Sequence, residues 1–215
     1  MRSPLALSFF AFVIIYLLFN TPIAFLFLTG KPYHNNTTLL YLFFFMGYSF
    51  LLFFALPALV NRCIYKEKII PLGLNIPENK TSAVLLILLA ELMLIPAILI
   101  LAKQSAFKHY YSMAGVSQGK LALMLLVVFP FYYFCEEFFF RGFLLVTLWR
   151  KVRWHSFWIV DILFVFAHFF KPFMEIVLAF PAGIIFAFLA LRTRSIYPSM
   201  IVHYSMGIAM ILSQR

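Results

Sequence analysis

Three ionisable side chains lie inside an apolar stretch of the sequence that is otherwise free of charge. The stretch runs from Leu121 to Trp149, and the charges belong to Glu136, Glu137 and Arg141. A charged side chain near the centre of a bilayer costs roughly 2.5–3.5 kcal/mol on insertion scales, so such groups usually mark a functional site or an internal ion pair. The chemistry of this chain is therefore expected in this stretch.

The spacing of these charges on a helix assigns different roles to the two glutamates. Glu137 and Arg141 are four residues apart, so they share a helix face and can neutralise each other. Glu136 is turned about 100° away from Glu137 and has no basic partner within its own helix. The partner of Glu136 must therefore come from another part of the fold.

Two histidines occupy comparable depths in later apolar segments. Glu136 lies fourteen residues before Arg150, and His168 lies thirteen residues after His155. At a helical rise of 1.5 Å per residue, both are about 20 Å from the basic turn between them, and so at one level on neighbouring antiparallel helices. His203 lies about 13 Å into the last apolar segment. The sequence therefore predicts that one carboxylate and two imidazoles converge.

Such a group, kept from bulk water, suits the activation of a water molecule that attacks a carbonyl. The carboxylate accepts a proton, one imidazole shares it, and the other donates to the developing oxyanion. The same Glu136, His168 and His203 could instead form a two-histidine, one-carboxylate metal site. A third possibility is packing alone, with each histidine bonded to a backbone carbonyl. Convergence at one depth favours a catalytic site over packing.

Two further residues share a helix face with His168. Asp161, Phe164 and His168 are spaced i, i+3 and i+7. Phe164 is expected to support the site. Asp161 is expected to be structural or interfacial, with a network that orients a histidine as the alternative.

The composition indicates a membrane protein. Of 215 residues, 65% are hydrophobic and only 11% are charged, whereas soluble domains carry about 25% charged residues. The formal net charge of +10 comes from short loops, where cations contact anionic head groups. No long basic tract exists, so nucleic acid is not an expected partner. The abundant phenylalanines are expected to face lipid.

Recurring apolar runs predict an all-α fold, a polytopic transmembrane helical bundle of about seven spans. Residues 1–215 are expected to form a single multi-pass membrane domain. Pro181 and Gly183 are expected to break the sixth span. The predicted spans are Leu5–Leu28, Leu39–Val60, Thr81–Ala102, Leu121–Trp149, Phe157–Phe170, Phe173–Leu191 and Ile196–Leu212.

Three motifs resemble those of the CAAX protease and bacteriocin-processing (CPBP, or Abi) family of membrane proteins. The first, Glu-Glu-x-x-x-Arg, is residues 136–141, and the second, Phe-x-x-x-His, is residues 164–168. The third, His-x-x-x-Asn/Asp, is similar to residues 203–207. The resemblance makes residues 121–212 the catalytic core.

The resemblance implies a glutamic-type intramembrane endopeptidase that uses neither a metal nor a cofactor. It implies that Glu136 and His168 activate the water and that His203 helps to form the oxyanion hole. It also implies that Glu137 and Arg141 hold the site together. The expected partners are membrane lipid and a protein or peptide substrate with a membrane-proximal cleavage site.

One residue departs from the family pattern, since Gly207 stands where the family usually has Asn or Asp. Losing one oxyanion donor costs on the order of 10²–10³ in rate in other enzymes. Either another group supplies the donor, or the protein is slow or inactive and acts as an immunity factor or scaffold. A proton-coupled carrier is a further alternative. The small size and short loops favour a bacterial plasma (inner) membrane.

Overall fold

The computed structural model describes residues 39–169 and 171–214 of the chain. These residues form seven helices and contain no strand, which confirms the all-α fold. The predicted first span, Leu5–Leu28, lies outside the described residues. The helices are α1 (Leu39–Tyr65), α2 (Lys80–Leu101), α3 (Ser105–Tyr110), α4 (Gln118–Val152), α5 (His155–Phe166), α6 (Phe173–Thr193) and α7 (Tyr197–Leu212).

Four of the described helices, α1, α2, α4 and α6, are long and apolar enough to cross a membrane. Helices α5 and α7 are shorter and also apolar, and each of the six predicted spans within the described residues corresponds to one of these six helices. The short helix α3 lies in the connection between α2 and α4. The protein is therefore a multi-pass membrane protein, as the apolar runs predicted.

Side-chain caps fix where two of the spans begin. The Asn79 side chain accepts a hydrogen bond from the Ser82 amide at 2.8 Å, at the start of α2. The Ser117 hydroxyl oxygen accepts one from the Lys120 amide at 3.4 Å, at the start of α4. Each cap satisfies one of the amide groups that a helix leaves unpaired in its first turn.

Helices α4 and α7 lie at the centre of the packing. Helix α7 contacts α2, α6 and α4, while α5 contacts α6 and the second half of α4. Most buried apolar side chains belong to a single core cluster. The outer face of α2 instead exposes large apolar side chains such as Leu85, Leu88 and Leu92, as expected for a helix that faces lipid.

The phenylalanines of α4 correct the expectation that these rings face lipid. Phe138, Phe139, Phe140 and Phe143 are at most 1% exposed. They lie in a π-helical segment, Phe138–Leu145, in which every residue is buried. A helix that is packed on all sides must be apolar on all sides. The expectation does hold elsewhere, since the ring of Phe173 is 69% exposed.

The predicted break in the sixth span is wrong. Helix α6 continues through both Pro181 and Gly183. Gly183 serves close packing instead, because a Cβ at this position would collide with Oδ1 of Asp161 on α5 and would lie 3.0 Å from Cδ1 of Phe164. Proline is tolerated within membrane helices because neighbouring groups compensate for the lost backbone bond.

Candidate active site

A buried ionic network centres on Glu137. Its Oε1 accepts a hydrogen bond from Arg141 Nη1 at 3.3 Å, so the pair predicted from i,i+4 spacing is confirmed. The same oxygen accepts a second hydrogen bond from Nδ1 of His203 on α7, at 2.8 Å. The side chains of Glu137 and Arg141 are completely buried. Two donors from two helices therefore surround one carboxylate oxygen.

Arg141 is also held from the side of α5 and α6. Its Nη2 donates to the Gly183 carbonyl oxygen at 3.3 Å. The guanidinium carbon lies 4.1 Å from the ring centre of Phe164 and 5.2 Å from that of Phe186. A guanidinium packed on aromatic faces gains cation–π attraction that partly replaces its lost hydration. Arg141 therefore links α4 to both neighbouring helices.

Glu136 differs from its neighbour in having no hydrogen bond within the described part of the chain. It is 4% exposed, and its Oε2 lies 3.9 Å from His203 Nδ1. That nitrogen is directed to Glu137 instead. The expected partner from another element is thus His203, but the contact is too long for a hydrogen bond. The Glu136 carboxylate is therefore nearly enclosed, and no described residue forms a hydrogen bond with its oxygens.

His168 lies in the turn that follows α5 and is 5% exposed. Its Nδ1 lies 2.8 Å from the Phe164 carbonyl oxygen. A carbonyl oxygen only accepts, so Nδ1 carries the hydrogen and Nε2 of the neutral ring is an acceptor. The Phe164 ring centre lies 4.6 Å from that of His168 and 5.5 Å from that of His203. One aromatic ring therefore contacts both imidazoles.

Asp161 is 1% exposed, so it is buried and not interfacial. It has no hydrogen bond to either histidine, and neither of its carboxylate oxygens has a partner among the described residues. It lies against Gly183, next to the point where Arg141 contacts α6. The alternative in which Asp161 orients a histidine therefore has no hydrogen bond to support it.

The described residues contain no group of three or more histidine, cysteine, aspartate or glutamate side chains arranged to hold a metal ion. Glu136, His168 and His203, the alternative ligand set, are therefore not arranged as metal ligands here. The hydrogen-bond partners of the two histidines are protein groups, namely the Phe164 carbonyl for His168 and Glu137 for His203.

A second polar cluster, which sequence reasoning missed, holds the turn that carries His168. Lys171 Nζ lies 2.9 Å from Glu175 Oε1, and the Tyr111 hydroxyl, which has one proton to donate, lies 2.7 Å from each oxygen of Glu175. The Lys171 amide donates to the His168 carbonyl oxygen at 2.9 Å. Burial disfavours the charged form of Lys171, but the Glu175 carboxylate outweighs this and raises the pKa of Lys171.

The signals for this second cluster were of unequal strength. Lys171 and Glu175 are four residues apart, and this spacing could have indicated the pair. Tyr111 is 64 residues from Glu175 in the sequence, so only the fold brings them together. Tyr133, which contacts the His203 ring with a centroid distance of 4.5 Å, also gave no signal in the sequence.

Residues 118–209 match the family model described as Rce1-like, type II CAAX prenyl endopeptidase Rce1-like. The match starts at the first residue of α4 and ends within α7, so it spans a little under half of the chain and includes Glu136, His168 and His203. The resemblance predicted from the three motifs is confirmed. Comparison with curated proteins and with solved structures found no significant match.

Proposed function

We propose that this chain, whose residues 118–209 match the family model of Rce1-like type II CAAX prenyl endopeptidases, cleaves a peptide bond near the membrane with a water molecule activated by Glu136 and His168. The family is one of intramembrane endopeptidases, which implies a peptide substrate and a membrane environment. The glutamic mechanism and the roles of individual residues are the proposal.

The observation that carries the proposal is the contrast between two neighbouring carboxylates. Glu137 accepts two hydrogen bonds, whereas Glu136, at 4% exposure, accepts none from the described residues. A buried carboxylate without a hydrogen bond is costly to maintain, so its retention favours a functional role. Its place beside His203, with the Phe164 ring joining His203 to His168, supports a role in activating water.

In the proposed reaction, Glu136 accepts a proton from water while the water oxygen bonds to the carbonyl carbon of the substrate. The electron pair of the C=O bond moves to the carbonyl oxygen. Nε2 of His168, an acceptor because Nδ1 is bonded to the backbone, shares the proton taken from water. The proton then passes to the peptide nitrogen as the C–N bond breaks and the carbonyl re-forms.

His203 has a more restricted role. Its Nδ1 donates to the Glu137 carboxylate, so Nε2 is the atom left to face the substrate oxygen. Nε2 can donate only when the ring carries both protons. The Glu137 carboxylate, 2.8 Å from Nδ1, fixes the orientation of the imidazole ring. Glu137 therefore acts through His203, as a positioning residue for the oxyanion.

The proposed substrate is a protein or peptide with a membrane-proximal cleavage site, held in a lipid environment. The family description makes a prenylated CAAX sequence one candidate. We place the protein in a bacterial plasma (inner) membrane, with no cofactor and no nucleic-acid partner. The supporting features are the short loops and the absence of a long basic tract.

The test replaces Glu136 with Gln, which keeps the shape of the side chain and removes the base. Membrane proteomes of a deletion strain are compared after complementation with wild type, Glu136→Gln or Glu91→Gln. Glu91 is the matched control, a half-buried glutamate on α2. We expect a precursor to accumulate in the deletion strain and with Glu136→Gln only. Full processing by folded Glu136→Gln would refute the assignment.

A second candidate function is favoured by Gly207, which departs from the family motif. A catalytically silent protein would act as an immunity factor or scaffold, and a Glu136→Gln, His168→Ala double variant would then keep the wild-type phenotype. The metal alternative predicts that EDTA abolishes cleavage and that added metal restores it. The glutamic mechanism predicts that EDTA has no effect.

A further inference from the structure

The space beside Gly207 is occupied by a hydroxyl group from another helix. Helices α4 and α7 are antiparallel along the site, with His203 opposite Glu137. Four residues further along α7, Gly207 lies opposite Tyr133, which is four residues further back along α4. A Cβ at Gly207 would collide with the Tyr133 hydroxyl and lie 2.8 Å from its Cζ. The missing side chain on α7 is thus matched by a tyrosine on α4.

Tyr133 is built into the site from two sides. It lies one turn before Glu136 and Glu137 on α4, three and four residues away, so all three share a helix face. Its half-buried ring lies against the His203 imidazole, with a centroid distance of 4.5 Å. Its hydroxyl has no hydrogen bond to any described residue. A donor is therefore held beside His203 and is not used by any residue that the structure describes.

We propose that the Tyr133 hydroxyl is the second oxyanion donor of this enzyme and replaces the side chain that Gly207 lacks. This inference rests on the proposed function, since it assigns a donor to the same carbonyl oxygen that His203 contacts. A phenolic O–H can donate one hydrogen bond. Donation to the substrate oxygen strengthens as negative charge develops there, and no proton is transferred.

Gly207 is then part of the same arrangement. Any larger residue at position 207 would displace the Tyr133 hydroxyl, because the two groups require the same space. The departure from the family motif is therefore coupled to the tyrosine on α4. The hydrogen-bond donor that the family motif places on α7 is supplied in this protein by Tyr133 on α4, at the same level of the site.

The first experiment replaces Tyr133 with Phe, which keeps the ring against His203 and removes only the hydroxyl. The substrate is a quenched peptide that covers the cleavage site of the accumulated precursor, and the enzyme is reconstituted in phospholipid vesicles. We expect kcat to fall about 10²–10³-fold, as after loss of one oxyanion donor, with KM within about twofold of wild type. Tyr132→Phe is the matched control, because the Tyr132 ring packs against Phe45 and Phe53, and it should retain wild-type kcat.

The second experiment moves the donor back to α7. Tyr133→Ala frees the space beside Gly207, so a Tyr133→Ala, Gly207→Asn double variant can place an amide donor there. We expect the double variant to recover at least about tenfold in kcat over Tyr133→Ala, as expected when a donor group is restored. Gly207→Asn alone should lose activity, because the new side chain collides with the Tyr133 hydroxyl.

Two outcomes separate this inference from the proposed function. If Glu136→Gln is inactive while Tyr133→Phe keeps wild-type kcat, the tyrosine assignment is overturned and the glutamic mechanism stands. If the double variant is no faster than Tyr133→Ala, the exchange of donors between helices is overturned. Full activity of Glu136→Gln would overturn the glutamic mechanism itself.

Discussion

The candidate site has two halves that differ in how their polar groups are bonded. In the paired half, Glu137, Arg141 and the Gly183 carbonyl bond one another inside the protein. In the open half, no described residue forms a hydrogen bond with Glu136, with the Tyr133 hydroxyl or with Nε2 of His168. His203 joins the halves, since its Nδ1 bonds Glu137 and its Nε2 is directed elsewhere.

This difference indicates a division of labour between groups only a few ångströms apart. Breaking a buried ion pair costs about 3–5 kcal/mol, so the paired half holds α4, α5, α6 and α7 in a fixed relation. The Glu136 carboxylate and the Tyr133 hydroxyl contribute no hydrogen bond to that framework from the described residues. Glu136 and the Tyr133 hydroxyl, which lie beside His203 and are not bonded by any described residue, are available to bond water and substrate.

The largest expected effect comes from breaking the paired half with Arg141→Ala. The change leaves the Glu137 carboxylate buried without its guanidinium, so we expect the free energy of unfolding to fall by about 3–5 kcal/mol. Chemical unfolding in detergent micelles measures this. Arg150→Ala is the control, because Arg150 pairs with Glu67 at an exposed position and should cost at most about 1 kcal/mol. Equal losses in the two variants would contradict the division.

A change in the open half, His168→Ala, should lower the rate sharply, and it also lowers the unfolding free energy, because it removes the hydrogen bond to the Phe164 carbonyl and the contact with the Phe164 ring. General acid–base groups contribute typically 10²–10⁴-fold, so we expect kcat to fall by at least about 10²-fold. His155→Ala is the control, since His155 is exposed and its Nδ1 likewise lies near a backbone carbonyl, that of Val152. Unchanged cleavage by His168→Ala would remove this histidine from the mechanism.

The smallest expected effect concerns the cluster that holds the His168 turn. Glu175→Gln removes the charge that faces Lys171 but keeps an acceptor for Tyr111, so we expect a loss of about 1 kcal/mol in unfolding free energy. Because the folded pKa of Lys171 is raised, its contribution is fully present below about pH 10, near the unfolded pKa. The contribution disappears as the pH rises through the folded pKa.

Unfolding curves of wild type and Glu175→Gln at neutral and strongly alkaline pH measure this dependence. The difference between the two proteins should be present at neutral pH and shrink at alkaline pH. A difference that grows with pH would contradict a raised pKa of Lys171 in the folded protein. Glu67→Gln, at the exposed pair with Arg150, is the matched control and should show at most about 1 kcal/mol at neutral pH.

Much of the fold could be predicted from the sequence because a bilayer restricts the possible structures. Apolar runs of about 20 residues specify spanning helices, whose ends follow from loop charges and caps. The i,i+4 spacing of Glu137 and Arg141 likewise determined their pairing, since both lie on one helix face. These features are local, and local rules are sufficient for them.

The bonding of His203 could not be predicted, because it depends on how α7 is rotated against α4. Glu136 and Glu137 are adjacent, and both lie close to this histidine. The structure places His203 Nδ1 2.8 Å from Glu137 and 3.9 Å from Glu136. The contact between Tyr133 and Gly207 likewise depends on how α7 is rotated against α4. Sequence spacing within one helix cannot specify which residue of a facing helix fills a gap.

The most direct test of the account compares two neighbouring variants, Glu136→Gln and Glu137→Gln, in the same vesicle cleavage and micelle unfolding measurements. We expect Glu136→Gln to lose cleavage by at least about 10²-fold while its unfolding free energy does not fall below that of wild type, because the change removes a buried charge that no described residue bonds. Glu137→Gln should lower the unfolding free energy by about 1–3 kcal/mol. Wild-type cleavage by Glu136→Gln, or equal destabilisation by the two changes, would contradict the account.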